Sequence, residues 1–111
     1  MGLRLRIGIM THVRVWKFRP LEGHDEEFVR AYAGDGRWAQ LFGQAAGYRG
    51  TTLLRPTEPR GWWLTLDRWA GKADFEKFGH DFREKYRALD AELQDIAGEE
   101  EFVGAFEEPG Q

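Results

Sequence analysis

Two charged side chains that lie within apolar stretches are candidates for catalysis. Arg14 alternates with Trp16 and Phe18 on one face of a predicted strand. If that face is covered, its guanidinium could hold a phenolate or another anionic intermediate. Asp67 stands between a threonine and a tryptophan on one face of a later predicted strand. If buried, its carboxyl would have a raised pKa and could act as a general base.

His80 is a third candidate, because an imidazole with a pKa near neutrality could deprotonate a phenol. Glu76 and Glu84 flank it at i−4 and i+4 on a predicted helix. All three candidates also have a structural explanation. Arg14 could pair with an acid or lie in an interface between copies, Asp67 could pair with an arginine across the sheet, and His80 could be solvated.

Aromatic residues supply much of the apolar mass of the chain, with 5 Trp, 8 Phe and 3 Tyr among 111 residues. Rings of this kind could line a pocket for a flat ligand, or they could simply form the core. The pocket candidates are Trp16, Trp38, Phe42, Phe78, Phe82 and Tyr86.

The composition argues against several classes of protein. With no cysteine, the chain has no disulfide, thiolate nucleophile or cysteine-based metal site. The three histidines lack ligand-like spacing, so we expect no metal site. A net charge of −3 argues against nucleic-acid binding. No apolar run could span a membrane, and Ile7–Met10 is too short for a signal sequence, so we expect no membrane partner and a cytoplasmic location.

Four segments are predicted to be strands because they are rich in β-branched and aromatic residues and end at turn signals. They are His12–Arg19, Thr51–Arg55, Trp62–Trp69 and Phe102–Phe106. The acidic residues just before the last of them are predicted to lie outside it.

Two helical regions lie between these strands. The first begins near Asp25, is interrupted near Gly34–Gly36 and resumes as far as Gly47. The second runs from about Lys72 to Ala97 as one helix, because its apolar residues step by three or four throughout. Phe82 belongs to that apolar stripe, so the sequence alone predicts that Phe82→Ala costs about 3–5 kcal/mol of stability.

The order β-α-β-β-α-β predicts an α+β fold of the ferredoxin-like type, a four-stranded antiparallel sheet with both helices on one face. The first predicted strand, however, is apolar on both faces: Trp16 and Phe18 alternate with Val13 and Val15. Helices can cover only one of these faces. A soluble monomer rarely exposes so much apolar surface, so we expect the other face to pack against a second copy in a homodimer.

The chain also resembles a known family. The pattern comprises VRVWKFRP in the first strand, GYRGTTLLR at Gly47–Arg55, WLTLDRW at Trp63–Trp69, DFEKF at Asp74–Phe78 and FVGAF at Phe102–Phe106. Over residues 12–107 this order resembles the antibiotic biosynthesis monooxygenase domain of the dimeric α+β barrel superfamily.

The resemblance implies a homodimer packed sheet to sheet, with a pocket between sheet and helices in each subunit. Members of the family include cofactor-independent monooxygenases that oxidise polycyclic phenols, in which the deprotonated substrate itself reduces oxygen. On that basis we expect no cofactor. Other members degrade haem, act on quinones or small aldehydes, or have no known activity, so the resemblance predicts the fold better than the reaction.

The haem-degrading branch can be tested at three positions. Its members use an asparagine on the first strand, a tryptophan on the second helix and, ten residues later, a histidine that ligates the iron. The aligned positions here hold Arg14, Phe78 and Ala88. Because the iron would have no histidine ligand at this position, haem degradation is not expected.

The sequence thus predicts a leader or extra strand at 1–11, an antibiotic-biosynthesis-monooxygenase-like domain at 12–107 and a polar tail at 108–111. The expected function is that of a cofactor-independent monooxygenase acting on a small aromatic or quinone-like compound. The alternative is a non-catalytic small-molecule binding module or a structural dimer.

Overall fold

The computed structural model describes residues 10–110. The leader predicted for residues 1–11 therefore falls almost entirely outside the described residues. The elements follow one another as β1 (Thr11–Arg19), α1 (Asp25–Tyr32), α2 (Arg37–Phe42), β2 (Tyr48–Leu54), β3 (Trp63–Trp69), α3 (Lys72–Asp81), α4 (Arg83–Ala97) and β4 (Glu99–Glu108).

The four strands form one sheet in the order β2-β3-β1-β4, and every neighbouring pair is antiparallel. Phe18 from β1 and Trp63 and Trp69 from β3 lie on the sheet face that packs with the helices. The predicted ferredoxin-like fold class is therefore confirmed.

The first helical region is interrupted as predicted, and the interruption has a steric cause. Gly36 lies between α1 and α2, where an added Cβ would approach the carbonyl oxygens of Arg30 and Ala31 to 2.6 and 2.7 Å. Those distances are too short for any side chain. Only glycine lets the chain turn this closely against the end of α1.

The second helical region differs from the prediction of one continuous helix. It is divided at Phe82, whose φ of −116° and ψ of 23° are not helical. Gly79, His80 and Asp81 precede the break, and all three have low helix propensity. The apolar residues of the sequence keep a spacing of three or four across Phe82, and this is why the sequence pattern did not reveal the break.

The last strand is longer than predicted, since it includes the acidic residues that were expected to lie outside it. Glu99 and Glu101 pair with the basic residues of the neighbouring strand, at 3.6 Å from Arg19 and 2.9 Å from Lys17. These partners reduce the charge repulsion that would otherwise disfavour a strand of consecutive glutamates. The strand is preceded by Gly98, whose φ of 64° and whose approach to the Arg19 carbonyl exclude a side chain.

The core between sheet and helices is largely aromatic. Trp69 and Phe28 are completely buried and Phe78 is 1% exposed. Phe82 is only half-buried, because it lies at the break between α3 and α4.

Among residues 10–110, no helix covers the opposite face of the sheet. Val15, Leu64 and Leu66 lie on this face, which we call the open face, together with Leu54 and Phe106 at the sheet edges. Leu54 is 46% exposed and Phe106 is 50% exposed.

Among residues 10–110, no helix combines the length and the hydropathy needed to cross a membrane.

Candidate functional site

A cavity of about 220 Å³ opens between the sheet and the helices. It is lined mainly by aromatic side chains, with two carboxylates and one threonine among them. The lining residues are Trp16, Phe18, Tyr32, Trp38, Phe42, Thr65, Tyr86, Asp90 and Glu100.

The positions of the lining residues follow from the local periodicity of each element. Trp16 and Phe18 share one face of β1, as residues two apart on a strand do. Trp38 and Phe42 are four residues apart on α2, and Tyr86 and Asp90 are four apart on α4. Each pair therefore projects from one helix face towards the sheet.

Arg14 lies on the same face of β1, one alternation beyond Trp16 and outside the lining of the cavity. Its guanidinium carbon is 3.9 Å from the ring centroid of Phe75 and 4.6 Å from that of Phe102. Burial lowers the pKa of Arg14, while Tyr86 and Asp67 act to raise it. Arg14 is thus a half-buried cation held by two aromatic rings, and within residues 10–110 it forms no ion pair.

Asp67 is directly opposite Arg14 in the pairing of β1 with β3. The Thr51 hydroxyl donates a hydrogen bond of 2.6 Å to its Oδ1, and the Tyr48 hydroxyl lies 2.5 Å from the Thr51 oxygen. Burial raises the pKa of the Asp67 carboxyl from 3.8 to about 6, against the opposing effects of the Thr51 hydrogen bond and the Arg14 charge. A carboxyl with this pKa is mostly ionised at neutral pH and remains basic enough to accept a proton.

Tyr86 connects the cavity with this charged pair. It lines the cavity, and burial raises its pKa. The negative charges of Asp90, Glu100 and Asp67 raise the pKa of Tyr86 further. The positive charge of Arg14 lowers it. The hydroxyl of Tyr86 therefore lies within electrostatic reach of both the Arg14–Asp67 pair and the two carboxylates at the opening.

The remaining candidates lie elsewhere. The side chain of His80 is 82% exposed and lies 3.1 Å from Asp81, on the far surface of α3. Phe78 packs in the core against Trp69, and Phe82 stacks on Phe78 with 5.2 Å between centroids. Neither phenylalanine lines the cavity.

Several residues of the site were not singled out from the sequence. Tyr48 and Thr51 reach Asp67 because β2 pairs with β3, and Glu100 reaches the opening because β4 extends further than predicted. Asp90 had a local signal, since it follows Tyr86 by four residues on a helix whose apolar stripe was recognised. No comparable local pattern marks Tyr48, Thr51 or Glu100.

A larger cleft of about 430 Å³ lies at the other end of the sheet, between the end of β1 and the β2–β3 loop. It contains none of the candidate residues and is lined by exposed loop residues such as Glu22 and Arg60. We therefore place the candidate site at the smaller, aromatic cavity.

Within the described part of the chain, no three His, Cys, Asp or Glu residues are grouped so that they could hold a metal ion.

Comparison with known proteins shows similarity at the level of structure. No family model matches the sequence, and no curated protein matches it. A point mutant of SnoaB, described as a cofactor-independent oxygenase from Streptomyces nogalater, superposes with a TM-score of 0.61 and 23% identity, covering 86% of this chain and 90% of that one. A second SnoaB structure superposes with a TM-score of 0.54 and 21% identity, covering 87% of this chain and 89% of that chain.

A structure of PA3566 from Pseudomonas aeruginosa also superposes, with a TM-score of 0.54 and 12% identity, covering 90% of this chain and 91% of that chain. At these identities the likeness concerns the fold. The chain therefore has the ferredoxin-like fold of the SnoaB structures, as expected from its resemblance to antibiotic biosynthesis monooxygenase domains.

Proposed function

We propose that this protein is a cofactor-independent monooxygenase that oxidises a small phenol or quinol bound in the aromatic cavity. The observation that carries the proposal is that Arg14, a half-buried cation without an ion-pair partner among residues 10–110, lies opposite Asp67 in the sheet. Burial raises the pKa of the Asp67 carboxyl to about 6. The fold shared with SnoaB, a cofactor-independent oxygenase, supports it.

In the proposed reaction the Asp67 carboxylate accepts the phenol proton. The phenolate reduces dioxygen, a carbon–oxygen bond forms, and the resulting hydroperoxide loses water to leave a quinone. One dioxygen is consumed, one of its atoms enters the product and the other leaves as water. Arg14 stabilises the phenolate and the peroxide anion, because its guanidinium donors are not used by a protein carboxylate.

The cavity also suits a module that binds the same ligand without turnover. A purely structural role is less well supported, because the aromatic side chains leave about 220 Å³ between them. Binding and turnover can be measured separately on one ligand, and the comparison distinguishes an enzyme from a binding module.

The first experiment is a titration of tryptophan fluorescence with 1,5-dihydroxynaphthalene, followed by oxygen uptake in buffer free of metal and flavin. We expect saturable quenching and one dioxygen consumed per quinone formed. Trp16→Phe should reduce the quenching because Trp16 lines the cavity, whereas Trp62→Phe should not, because Trp62 lies on the open face. Quenching without oxygen uptake from any flat phenol or quinol would favour the binding module.

We further propose that the protein works in the cytoplasm as a homodimer joined through the open face. The apolar residues of that face, with Leu66 near its centre, support this arrangement. Leu66→Glu would place a charge in the interface, and we expect it to halve the mass measured by light scattering while the circular dichroism stays unchanged. Leu21→Glu is the control, because Leu21 is 46% exposed and lies in the loop after β1. A wild-type protein that is monomeric at micromolar concentration would contradict the proposal.

A further inference from the structure

The opening of the cavity carries two carboxylates that face each other from different elements. Asp90 projects from α4, and Glu100 projects from β4 on the face that packs with the helices. Burial raises the pKa of Glu100, and the Asp90 charge raises it further. Two like charges thus lie near each other at the edge of an apolar cavity, where their repulsion favours the binding of a cation.

The neighbouring glutamates on the same strand show what is missing at this position. Glu99 and Glu101, on the opposite face of β4, both pair with basic side chains of β1. Among the described residues, neither Asp90 nor Glu100 has a basic side chain within ion-pair distance. Within residues 10–110 the cavity opening is therefore an anionic site without a counterion.

The wall behind the two carboxylates consists of aromatic rings and carries one buried polar atom that has no hydrogen-bond partner among residues 10–110. Trp38 is 7% exposed, and its Nε1 is buried without an acceptor in hydrogen-bond geometry. Tyr32, also 7% exposed, lines the cavity. Burial raises the pKa of Tyr32, the nearby Trp38 N–H lowers it, and the charges of Glu100 and Asp90 raise it again.

Aromatic faces attract cations, and the attraction is stronger when the cation is desolvated. The rings of Trp16, Tyr32, Trp38 and Tyr86 surround the space next to the carboxylate pair. Aromatic walls combined with unpaired carboxylates are typical of sites for protonated amines. A neutral or anionic ligand would leave the carboxylates uncompensated.

We propose that the opening of the cavity binds a protonated amine, so that the natural ligand is a phenol or quinol bearing an aminoalkyl group. This inference rests on the proposed function for the phenol end of the ligand. The amine lies between Asp90 and Glu100, the ring lies among the aromatic side chains, and the phenol points towards Arg14 and Asp67.

The test compares three phenols of similar size by calorimetry under nitrogen, where no turnover occurs. They are tyramine, which is cationic, 4-(2-hydroxyethyl)phenol, which is neutral, and 4-hydroxyphenylacetate, which is anionic. We expect tyramine to bind at least tenfold more tightly than the neutral phenol and the anion to bind most weakly. The advantage of tyramine should disappear in Asp90→Asn/Glu100→Gln and persist in Glu101→Gln, a change on the other face of the same strand.

Equal affinity of tyramine and the neutral phenol would overturn the inference, as would absence of binding by all three at millimolar concentration. An advantage of tyramine that survives in the double variant would also overturn it. Since oxygen uptake is measured separately, the two proposals can fail independently. If the protein consumes oxygen with simple quinols but shows no preference for amines, only the proposed amine site is contradicted. If it binds the amine tightly but consumes no oxygen with any phenol or quinol, only the proposed monooxygenase activity is contradicted.

Discussion

Replacing Asp67 with asparagine is expected to lower kcat for the preferred quinol by about 10²- to 10⁴-fold, the range for loss of a general base. Asparagine keeps the size of the side chain and can still accept the 2.6 Å hydrogen bond from Thr51. It cannot accept the phenol proton. Oxygen uptake of the purified variant measures the effect, and Asp81→Asn, which changes an exposed carboxylate on α3, serves as the control.

The pH dependence distinguishes this loss from a structural defect. The wild-type kcat/KM should fall as the pH drops below about 6, because the base becomes protonated there. The residual activity of the variant should lack this acid limb. Activity of Asp67→Asn within threefold of wild type, or an unchanged acid limb, would show that Asp67 is not the base.

The same substitution should make the protein more stable above pH 6. The carboxyl pKa rises from 3.8 to about 6 on folding, so the folded state binds the proton more tightly than the unfolded state. The free energy of unfolding of the wild type therefore falls as the pH rises from 3.8 to about 6. Above about pH 6 the whole of this loss of stability is present. Urea unfolding should show a gain for Asp67→Asn on the order of 2 kcal/mol at neutral pH that disappears below about pH 4. A variant that is both more stable and inactive cannot owe its inactivity to unfolding.

Replacing Phe78 with alanine is expected to lower the free energy of unfolding by about 3–5 kcal/mol, as for other buried phenylalanines. Phe78 is 1% exposed, and its ring centroid lies 5.1 Å from that of Phe42 and 5.2 Å from that of Trp69. Truncation would leave a cavity among aromatic rings that cannot collapse into it. Urea denaturation monitored by circular dichroism measures the loss.

Phe82→Ala provides the matched comparison, since Phe82 lies one helical turn later and stacks on Phe78. The sequence alone predicts a loss of about 3–5 kcal/mol for Phe82→Ala. Because Phe82 is half-buried at the break between α3 and α4, we now expect a loss of only about 1–2 kcal/mol there. Equal losses for the two variants would mean that Phe82 is as enclosed as Phe78.

Much of the fold can be predicted from the sequence because strand and helix periods are local properties. Alternation along β1 places Arg14, Trp16 and Phe18 on one face, and the structure has them there. The glycines before α2 predicted the interruption of the first helical region. The break at Phe82 could not be predicted, because the apolar spacing of three or four residues continues across it in the sequence.

The sequence by itself determined the order of the elements, the faces of the strands and the aromatic character of the core, since each depends on neighbours along the chain. Only the tertiary structure decided which side chains meet. Strand register placed Asp67 opposite Arg14 and within reach of Thr51, and the packing of α4 against the sheet brought Asp90 to Glu100. Such contacts join residues far apart in sequence. They are fixed by strand pairing and by the packing of the whole core, for which no local pattern carries a signal.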